Sequence, residues 1–376
     1  MASQLGKAIA ILIGTIIGAG VLGIPYVIYK AGFWTGMLMI VSLGVALVLL
    51  HLYLGEIALR TKKTHELTGY AEKYLGKWGK KVMLLSMLVG NYGALTAYII
   101  GIGATLKAMF GGQEIIYSII FFVVLSAIVY KGLKAVGNSE FYMQALIILI
   151  ILTIAVYSIF FARIENYQGF DITKVFIPYG AIFFAFIGTA AIPEVREMLR
   201  KEAKLMKKAI IWGSAIPIII YVIFTIVVVG VVGHTFDYLQ ANERIATVAL
   251  GEVLGGGINL LGNFLATFTM ATSFLTLGLA LMWVYHYDYK IKKHTAWALT
   301  VSLPLILALS GLITFIQTIG IVGAVAGGIE GMLIVMMHKR AKTLGEREPE
   351  YSIKHYPILS FILIALFVLG IILTIT

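Results

Sequence analysis

A glycine-rich stretch inside an apolar segment carries the main-chain atoms of this sequence that are best suited to bind a ligand. It spans residues 14–25 and ends at a proline. Glycine lets a ligand approach the backbone closely, and an unwound turn leaves peptide N–H groups free at the start of the helix that follows. The helix dipole also favours an anion there. The pattern predicts a carboxylate site. The residues predicted to form it are Ile17, Gly18, Ala19 and Gly20.

A second stretch of small residues, 183–194, also interrupts an apolar segment and also ends near a proline. Carbonyl groups at the end of the half-helix that precedes it would accept hydrogen bonds from an ammonium group, so no acidic side chain is needed there. The two breaks together predict a site for a neutral amino acid with an apolar or aromatic side chain. The further residues predicted to line this site are Tyr98, Phe183, Phe184, Phe186, Ile187 and Gly188.

Hydroxyl groups follow one another closely between residues 267 and 276, at Thr267, Thr269, Thr272 and Ser273. Hydroxyl and carbonyl oxygens are suitable ligands for Na⁺, and an ion site of this kind would support symport. Alternatively, the hydroxyls bond back to carbonyls of their own helix.

Two carboxylates, Glu56 and Glu330, fall within apolar segments and are candidates for coupling or gating, because ionisation inside a membrane is expensive. They leave a proton-coupled mechanism open. Glu56 also has a structural explanation, since Arg60 lies one helical turn away. His51 is interpreted as a packing residue whose polar groups are satisfied.

The composition, 60% hydrophobic and 12% charged residues in 376, is typical of an integral membrane protein. Runs of about 20 apolar residues recur along the whole chain, and each can cross a hydrocarbon layer of about 30 Å as a helix. We number them segments one to eleven. Their predicted bounds are 7–30, 33–60, 82–110, 115–132, 141–163, 175–195, 207–233, 258–288, 296–313, 315–338 and 355–375.

The basic residues behind the net charge of +11 sort by side of the membrane. With the N-terminus in the cytoplasm, only Lys30, Lys107, Arg163, Lys174 and Arg244 fall outside. This asymmetry follows the positive-inside rule and predicts a multi-pass protein of the cell membrane with its C-terminus outside. It argues for membrane lipid as the partner of the basic residues and against nucleic acid.

The segments divide into two similar halves within one transporter domain over 1–376. Residues 1–163 and 170–338 are predicted to be inverted repeats, each beginning with a broken helix, and 355–376 an additional helix. Long connections, 61–81 and 234–257, follow the second segment of each half and are predicted to form short surface helices.

No motif in the sequence supports a catalytic function, so the chain is predicted not to be an enzyme. The spacing G-x-G-x-x-G at residues 18–23 lies within an apolar span and lacks the acidic residue of a dinucleotide site. A sensor that binds an amino acid without net transport is an alternative to a transporter, but no soluble signalling domain accompanies the segments.

The two interrupted stretches, 14–26 and 184–195, resemble the amino acid/auxin permease group and the related aromatic amino acid permeases of the amino acid–polyamine–cation superfamily. The resemblance covers nearly the whole chain. It implies an all-α leucine-transporter fold with five plus five helices, and a secondary active transporter that works by alternating access. It also implies a substrate held between segments one and six, with three and eight alongside.

The same resemblance implies a sodium site formed by the carbonyls of Gly14, Ile17 and Thr269 and the hydroxyls of Thr272 and Ser273. A second sodium site of some relatives is not expected, because Val21 stands where they have asparagine. Segment five also lacks the lysine that replaces sodium in some proton-coupled relatives. Sodium is therefore the expected coupling ion, with the proton as the alternative, and no other cofactor is predicted.

Overall fold

The computed structural model of the protein describes residues 4–132 and 140–376, and all of its regular structure within these ranges is helical. The helices before residue 160 are α1 (Gln4–Ile16), α2 (Ile24–Ala31), α3 (Phe33–Arg60), α4 (Leu67–Phe110), α5 (Glu114–Lys131) and α6 (Glu140–Ser158). The remaining helices are α7 (Tyr179–Phe186), α8 (Ile192–Met198), α9 (Met206–Val232), α10 (Ala246–Leu254), α11 (Gly256–Trp283), α12 (Lys293–Leu309), α13 (Phe315–Val322), α14 (Gly328–Leu344) and α15 (Pro357–Ile375).

The predicted segments each correspond to a helix or an interrupted helix. Within the described ranges, seven helices are long and apolar enough to cross a membrane, one bent pair forms segment one, and two shorter apolar helices form segments five and nine. Segment six is the interrupted pair α7 and α8. Large apolar side chains remain on the outside, such as Ile358 at 77% and Phe361 at 73% exposure, as expected of a surface that contacts lipid.

Both predicted interruptions are present. The axes of segment one on the two sides of its break differ by 47°. Between them Gly18 is extended (φ −138°, ψ −159°) and a 3₁₀ turn covers Ala19–Leu22. In segment six the chain becomes extended at Ile187 (φ −67°, ψ 122°) before a short 3₁₀ turn over Thr189–Ala191. A proline in the first turn of α2 and of α8 restarts each helix, because proline at that position lacks only an N–H that has no helical acceptor.

Both long connections contain a helix, as predicted, but each of these helices is partly buried instead of lying on the surface. The helix that begins at Leu67 ends in a kink at Gly76, whose φ of +76° is accessible mainly to glycine, and the helix of segment three follows directly; α4 comprises both parts. In the second connection α10 is not a surface helix, because residues 246–251 are buried and the helix packs against α9 and α11. Its apolar sequence, Ala-Thr-Val-Ala-Leu-Gly, explains this burial.

A buried ionic cluster closes the end of the bundle at which α1 begins, which we call the N-terminal end; the opposite end is the far end. The Glu56 carboxylate is fully buried and accepts hydrogen bonds from Arg60 Nε at 2.8 Å and from the Ile353 N–H at 2.8 Å. It also contacts the Lys342 ammonium and lies 3.0 Å from His338 Nε2. The predicted pair with Arg60 is thus one part of a cluster that joins segments two and ten to the loop before α15.

We expect Glu56→Gln to lower the free energy of unfolding by about 3–5 kcal/mol, because it leaves buried cations without their counter-charge. The measurement is thermal unfolding of the purified protein in detergent. Glu72→Gln is the matched control, since Glu72 forms an exposed ion pair with Lys80 and its loss should leave the melting temperature unchanged. Equal melting temperatures for both variants would contradict a structural role for Glu56.

Candidate functional site

A cavity of about 300 Å³, which we call the central cavity, begins at both breaks. Segments one, three, six, eight and ten contribute to its walls. It extends from the breaks toward the N-terminal end, where Leu67 at the start of α4 lines it. The predicted substrate residues that line it are Gly18, Ala19, Gly20, Tyr98, Phe183, Phe184 and Ile187.

The two glycines of the first break have different surroundings. A Cβ atom on Gly18 would meet Ser273 Oγ at 3.7 Å, an ordinary contact, so this glycine faces open space. A Cβ atom on Gly20 would lie 2.5 Å from Ala185 Cα, closer than any side chain can come. Gly20 therefore permits close packing of segments one and six, and Gly18 is the position at which a ligand can approach the backbone.

The break in segment one is held by a tyrosine from segment seven. The Tyr221 hydroxyl donates to the Ile16 carbonyl at 2.8 Å and accepts a longer hydrogen bond, 3.4 Å, from the Gly18 N–H. Its ring stacks on Phe186, with centroids 5.5 Å apart and planes 15° from parallel. Phe186, predicted to line the substrate site, instead faces Tyr221 and is not among the residues of the cavity wall.

The break in segment six is held by a histidine from segment two. His51 Nε2 accepts a hydrogen bond from the Gly188 N–H at 3.0 Å, which fixes the ring proton on Nδ1. The Nδ1–H group donates a hydrogen bond to Ser214 Oγ, with 2.9 Å between the two heavy atoms. His51 is thus buried with both ring nitrogens hydrogen-bonded, as predicted, and in addition it holds the break. Gly188 contributes to the break through this hydrogen bond and through its close packing against Ile16.

The predicted sodium residues lie around Gly18. Gly14, Thr272 and Ser273 line the central cavity, whereas Thr269 lines a small separate void behind Gly18, and Ile17 is buried beside the cavity wall. Thr272 Oγ1 donates to the Thr269 carbonyl at 3.0 Å, as the alternative of back-bonding within the helix predicts.

Thr267 does not reach the cavity. Its hydroxyl lies 2.9 Å from that of Thr105, so it joins segments eight and three.

Of the two candidate carboxylates, Glu330 lines the central cavity and Glu56 does not. Glu330 is 6% exposed, and its carboxylate accepts a hydrogen bond from the Thr189 hydroxyl at the segment-six break. In the part of the chain that the structure describes, Glu330 has no cation as a partner. A π-helical turn over Gly323–Gly327 precedes it in segment ten, and such turns are frequent at functional sites.

Comparisons with known proteins agree with this architecture. The profile of the tryptophan/tyrosine permease family matches residues 1–376. The chain belongs to the tryptophan/tyrosine permease family. Tyrosine-specific transport system 1 of Haemophilus influenzae is 24% identical over 72% of this chain and 70% of its own. Glutamine transporter 2 of Aliivibrio fischeri is 23% identical over 84% and 83% of the two chains.

The fold of this permease is also found in a solved structure, that of MhsT in complex with L-phenylalanine. The two chains superimpose with a TM-score of 0.68 at 16% identity, over 100% of this chain and 99% of the other. The permease thus has the predicted leucine-transporter fold, and it is an integral membrane amino acid transporter and not an enzyme.

Sequence reasoning missed Tyr221 and Thr189 as residues of this permease's site, and it did not predict the contact of His51 with the segment-six break. A histidine within an apolar span is a signal in itself, because polar groups in a membrane need partners. A tyrosine carries a weaker signal, since tyrosines are common in such helices. The contact from each residue to its break spans well over a hundred positions of sequence, which local spacing does not reveal.

The two glycines should respond differently to substitution. We expect Gly20→Ala to prevent proper folding, because the added methyl group overlaps the backbone of Ala185. Gly18→Ala should fold with an unchanged melting temperature and bind substrate more weakly, and Gly18→Leu should abolish binding by filling the approach to the backbone. Melting temperature in detergent and amino acid uptake in liposomes measure the two effects. Gly18→Ala and Gly20→Ala variants that behave alike would contradict the distinction.

Proposed function

We propose that this permease carries a neutral amino acid across the cell membrane by alternating access, with the zwitterion held between the breaks of segments one and six. The observation that carries the proposal is the central cavity, which begins at both breaks. Its size and partly apolar walls are typical of a small-molecule site.

The carboxylate of the substrate would bind at the first break. N–H groups at the start of a helical turn have no acceptor within that turn, and in the turn after Gly18 they belong to Ala19 and Gly20. The turn continues into α2, so the N-terminal end of the dipole lies at the cavity. The ammonium group would bind at the second break, at the carbonyl end of α7, where Phe184 lines the cavity.

The walls favour an aromatic or apolar side chain. Tyr98, Phe183, Phe184 and Ile187 supply apolar surface, and Thr189 and Glu330 supply a polar region beside it. Tyrosine and glutamine, the amino acids after which the two relatives are named, each carry a hydrogen-bond donor at the end of the side chain. The proposed substrate is a neutral amino acid of this kind, and tyrosine is the first candidate.

The cavity extends toward the N-terminal end of the bundle, which the distribution of basic residues assigns to the cytoplasm. On this assignment the structure corresponds to an inward-facing state. The carboxyl end of α15 then lies outside the cell.

Na⁺ is the proposed coupling ion, bound between segments one and eight. Its ligands would be the carbonyls of Gly14, Ile17 and Thr269 together with the hydroxyls of Thr272 and Ser273. Two observations support this site: Ser273 Oγ lies beside Gly18, and Gly14, Thr272 and Ser273 line one cavity.

A proton is the second candidate, and Glu330 is the observation that favours it. A carboxylate buried in a membrane protein without a cationic partner is stabilised by a proton, and the cavity gives Glu330 a path to water. Its contact with Thr189 links its protonation state to the segment-six break.

Uptake by the purified protein in liposomes distinguishes the two ions. We expect labelled L-tyrosine to accumulate under an inward Na⁺ gradient and not under an inward proton gradient alone. Glu330→Gln should retain this accumulation. If only a proton gradient drives uptake, and Glu330→Gln loses accumulation but retains tyrosine exchange, the sodium assignment is wrong and the proton mechanism holds.

The sodium site predicts a separate effect of the segment-eight hydroxyls. Thr272→Ala combined with Ser273→Ala should raise the Na⁺ concentration for half-maximal uptake by about tenfold or more, because two ligands are lost. Thr300→Ala is the control, since the Thr300 hydroxyl only bonds back to the Ala296 carbonyl of its own helix. An unchanged Na⁺ dependence in the double variant would refute the site.

A further inference from the structure

Two buried side chains replace main-chain hydrogen-bond partners at the breaks, and we propose that these replacements create the two polar ends of the substrate site. Tyr221 supplies a donor at the first break and His51 supplies an acceptor at the second. Each is a positioning residue that acts through the main chain. The inference rests on the proposed function, because it assigns a task to each end of the zwitterion.

At the first break, Tyr221 takes the place of a peptide N–H. In an unbroken α-helix the Ile16 carbonyl would accept from the N–H of Gly20, four residues later. Here the Tyr221 hydroxyl donates to that carbonyl at 2.8 Å, so the carbonyl has a partner without water. Ile16 itself is only 3% exposed. The Gly20 N–H is thereby released to the cavity, where a carboxylate can accept from it.

At the second break, His51 takes the place of a peptide carbonyl. In an unbroken helix the Gly188 N–H would donate to the carbonyl of Phe184. It donates instead to His51 Nε2 at 3.0 Å, while the preceding Ile187 N–H keeps its helical acceptor, the Phe183 carbonyl. The Phe184 carbonyl is thereby released, and Phe184 lines the cavity. A released carbonyl accepts a hydrogen bond from an ammonium group.

The two replacements are complementary and connected. Tyr221, in segment seven of the second half, contacts the break of the first half. His51, in segment two of the first half, contacts the break of the second half. Ser214, which receives the His51 Nδ1 proton, lies on the same helix as Tyr221. Phe186 of segment six in turn stacks on the Tyr221 ring. The geometry of both ends of the site is therefore fixed by one connected set of buried side chains.

This arrangement makes the effect of each residue specific to one charge of the substrate. Loss of the Tyr221 hydroxyl should impair recognition of the carboxylate and spare recognition of the ammonium group. Loss of the His51 acceptor should do the reverse. A general loosening of the fold would impair both.

The test compares three ligands that differ in one group: L-tyrosine, L-tyrosine methyl ester, which lacks the carboxylate charge, and 3-(4-hydroxyphenyl)propionate, which lacks the amine. Their affinities for the purified protein are measured in competition with labelled L-tyrosine. For each variant, the ratio of affinities for tyrosine and its ester reports on the carboxylate site. The ratio for tyrosine and the propionate reports on the ammonium site.

We expect Tyr221→Phe to reduce the tyrosine-to-ester ratio by about tenfold and to leave the tyrosine-to-propionate ratio unchanged. His51→Leu should reduce the second ratio by about tenfold and leave the first unchanged. His51→Gln should keep the tyrosine-to-propionate ratio near the wild-type value, because the amide oxygen can accept from Gly188 and the amide N–H can donate to Ser214.

Tyr179→Phe is the matched control for Tyr221→Phe. Its hydroxyl is buried and has no hydrogen-bond partner in the described part of the protein, so its loss should change neither ratio. Tyr221→Phe removes only one hydroxyl group and keeps the ring, and His51→Gln keeps a polar side chain, so both variants keep the test valid if His51→Leu fails to fold.

Two results would overturn the inference. In one, each variant reduces both ratios equally; in the other, Tyr221→Phe and His51→Leu leave both ratios at the wild-type value. A wild-type protein that binds the methyl ester as tightly as tyrosine would instead overturn the proposed binding mode itself. The two failures are therefore distinguishable.

Discussion

A main-chain hydrogen bond that is opened inside a membrane must be replaced, because lipid offers no partner. In this permease the helices of segments one and six are both interrupted, and both interruptions are surrounded by groups that meet this requirement. Tyr221, His51 and Ser214 are polar side chains in otherwise apolar helices. Their positions are explained by the breaks, and the breaks in turn explain why main-chain polar groups reach an otherwise largely apolar cavity inside the bundle.

Close backbone contacts between segments six and ten form the boundary of the cavity on the side of the far end. A Cβ atom on Gly180 would lie 1.9 Å from the Gly320 carbonyl oxygen, and one on Gly323 would lie 1.9 Å from that of Gly180. Neither glycine can be replaced without separating the helices. The π-helical turn at Gly323–Gly327 follows directly, and Ser86 of segment three donates to its Ala326 carbonyl at 2.6 Å. Segment ten thus combines a tight contact with a locally altered helix at the cavity wall.

Much of the architecture could be predicted from the sequence, because hydropathy runs, glycines and prolines act locally. The eleven segments and both breaks follow from such local signals. The orientation of individual side chains does not, since it depends on which helices become neighbours. Phe184 lines the cavity and Phe186 stacks on Tyr221, although both belong to one predicted wall. Gly18 and Gly20 likewise look equivalent in sequence, and only the position of Ala185 separates their tasks.

The neutral imidazole of His51 has a chemical consequence for the whole carrier. Nε2 can accept from the Gly188 N–H only while it carries no proton. An imidazolium ion would present an N–H to another N–H, and the two groups would repel each other. Acidification sufficient to charge this ring would therefore break the hydrogen bond between segment two and the interrupted helix, so the shape of the segment-six break depends on one ring nitrogen that carries no proton.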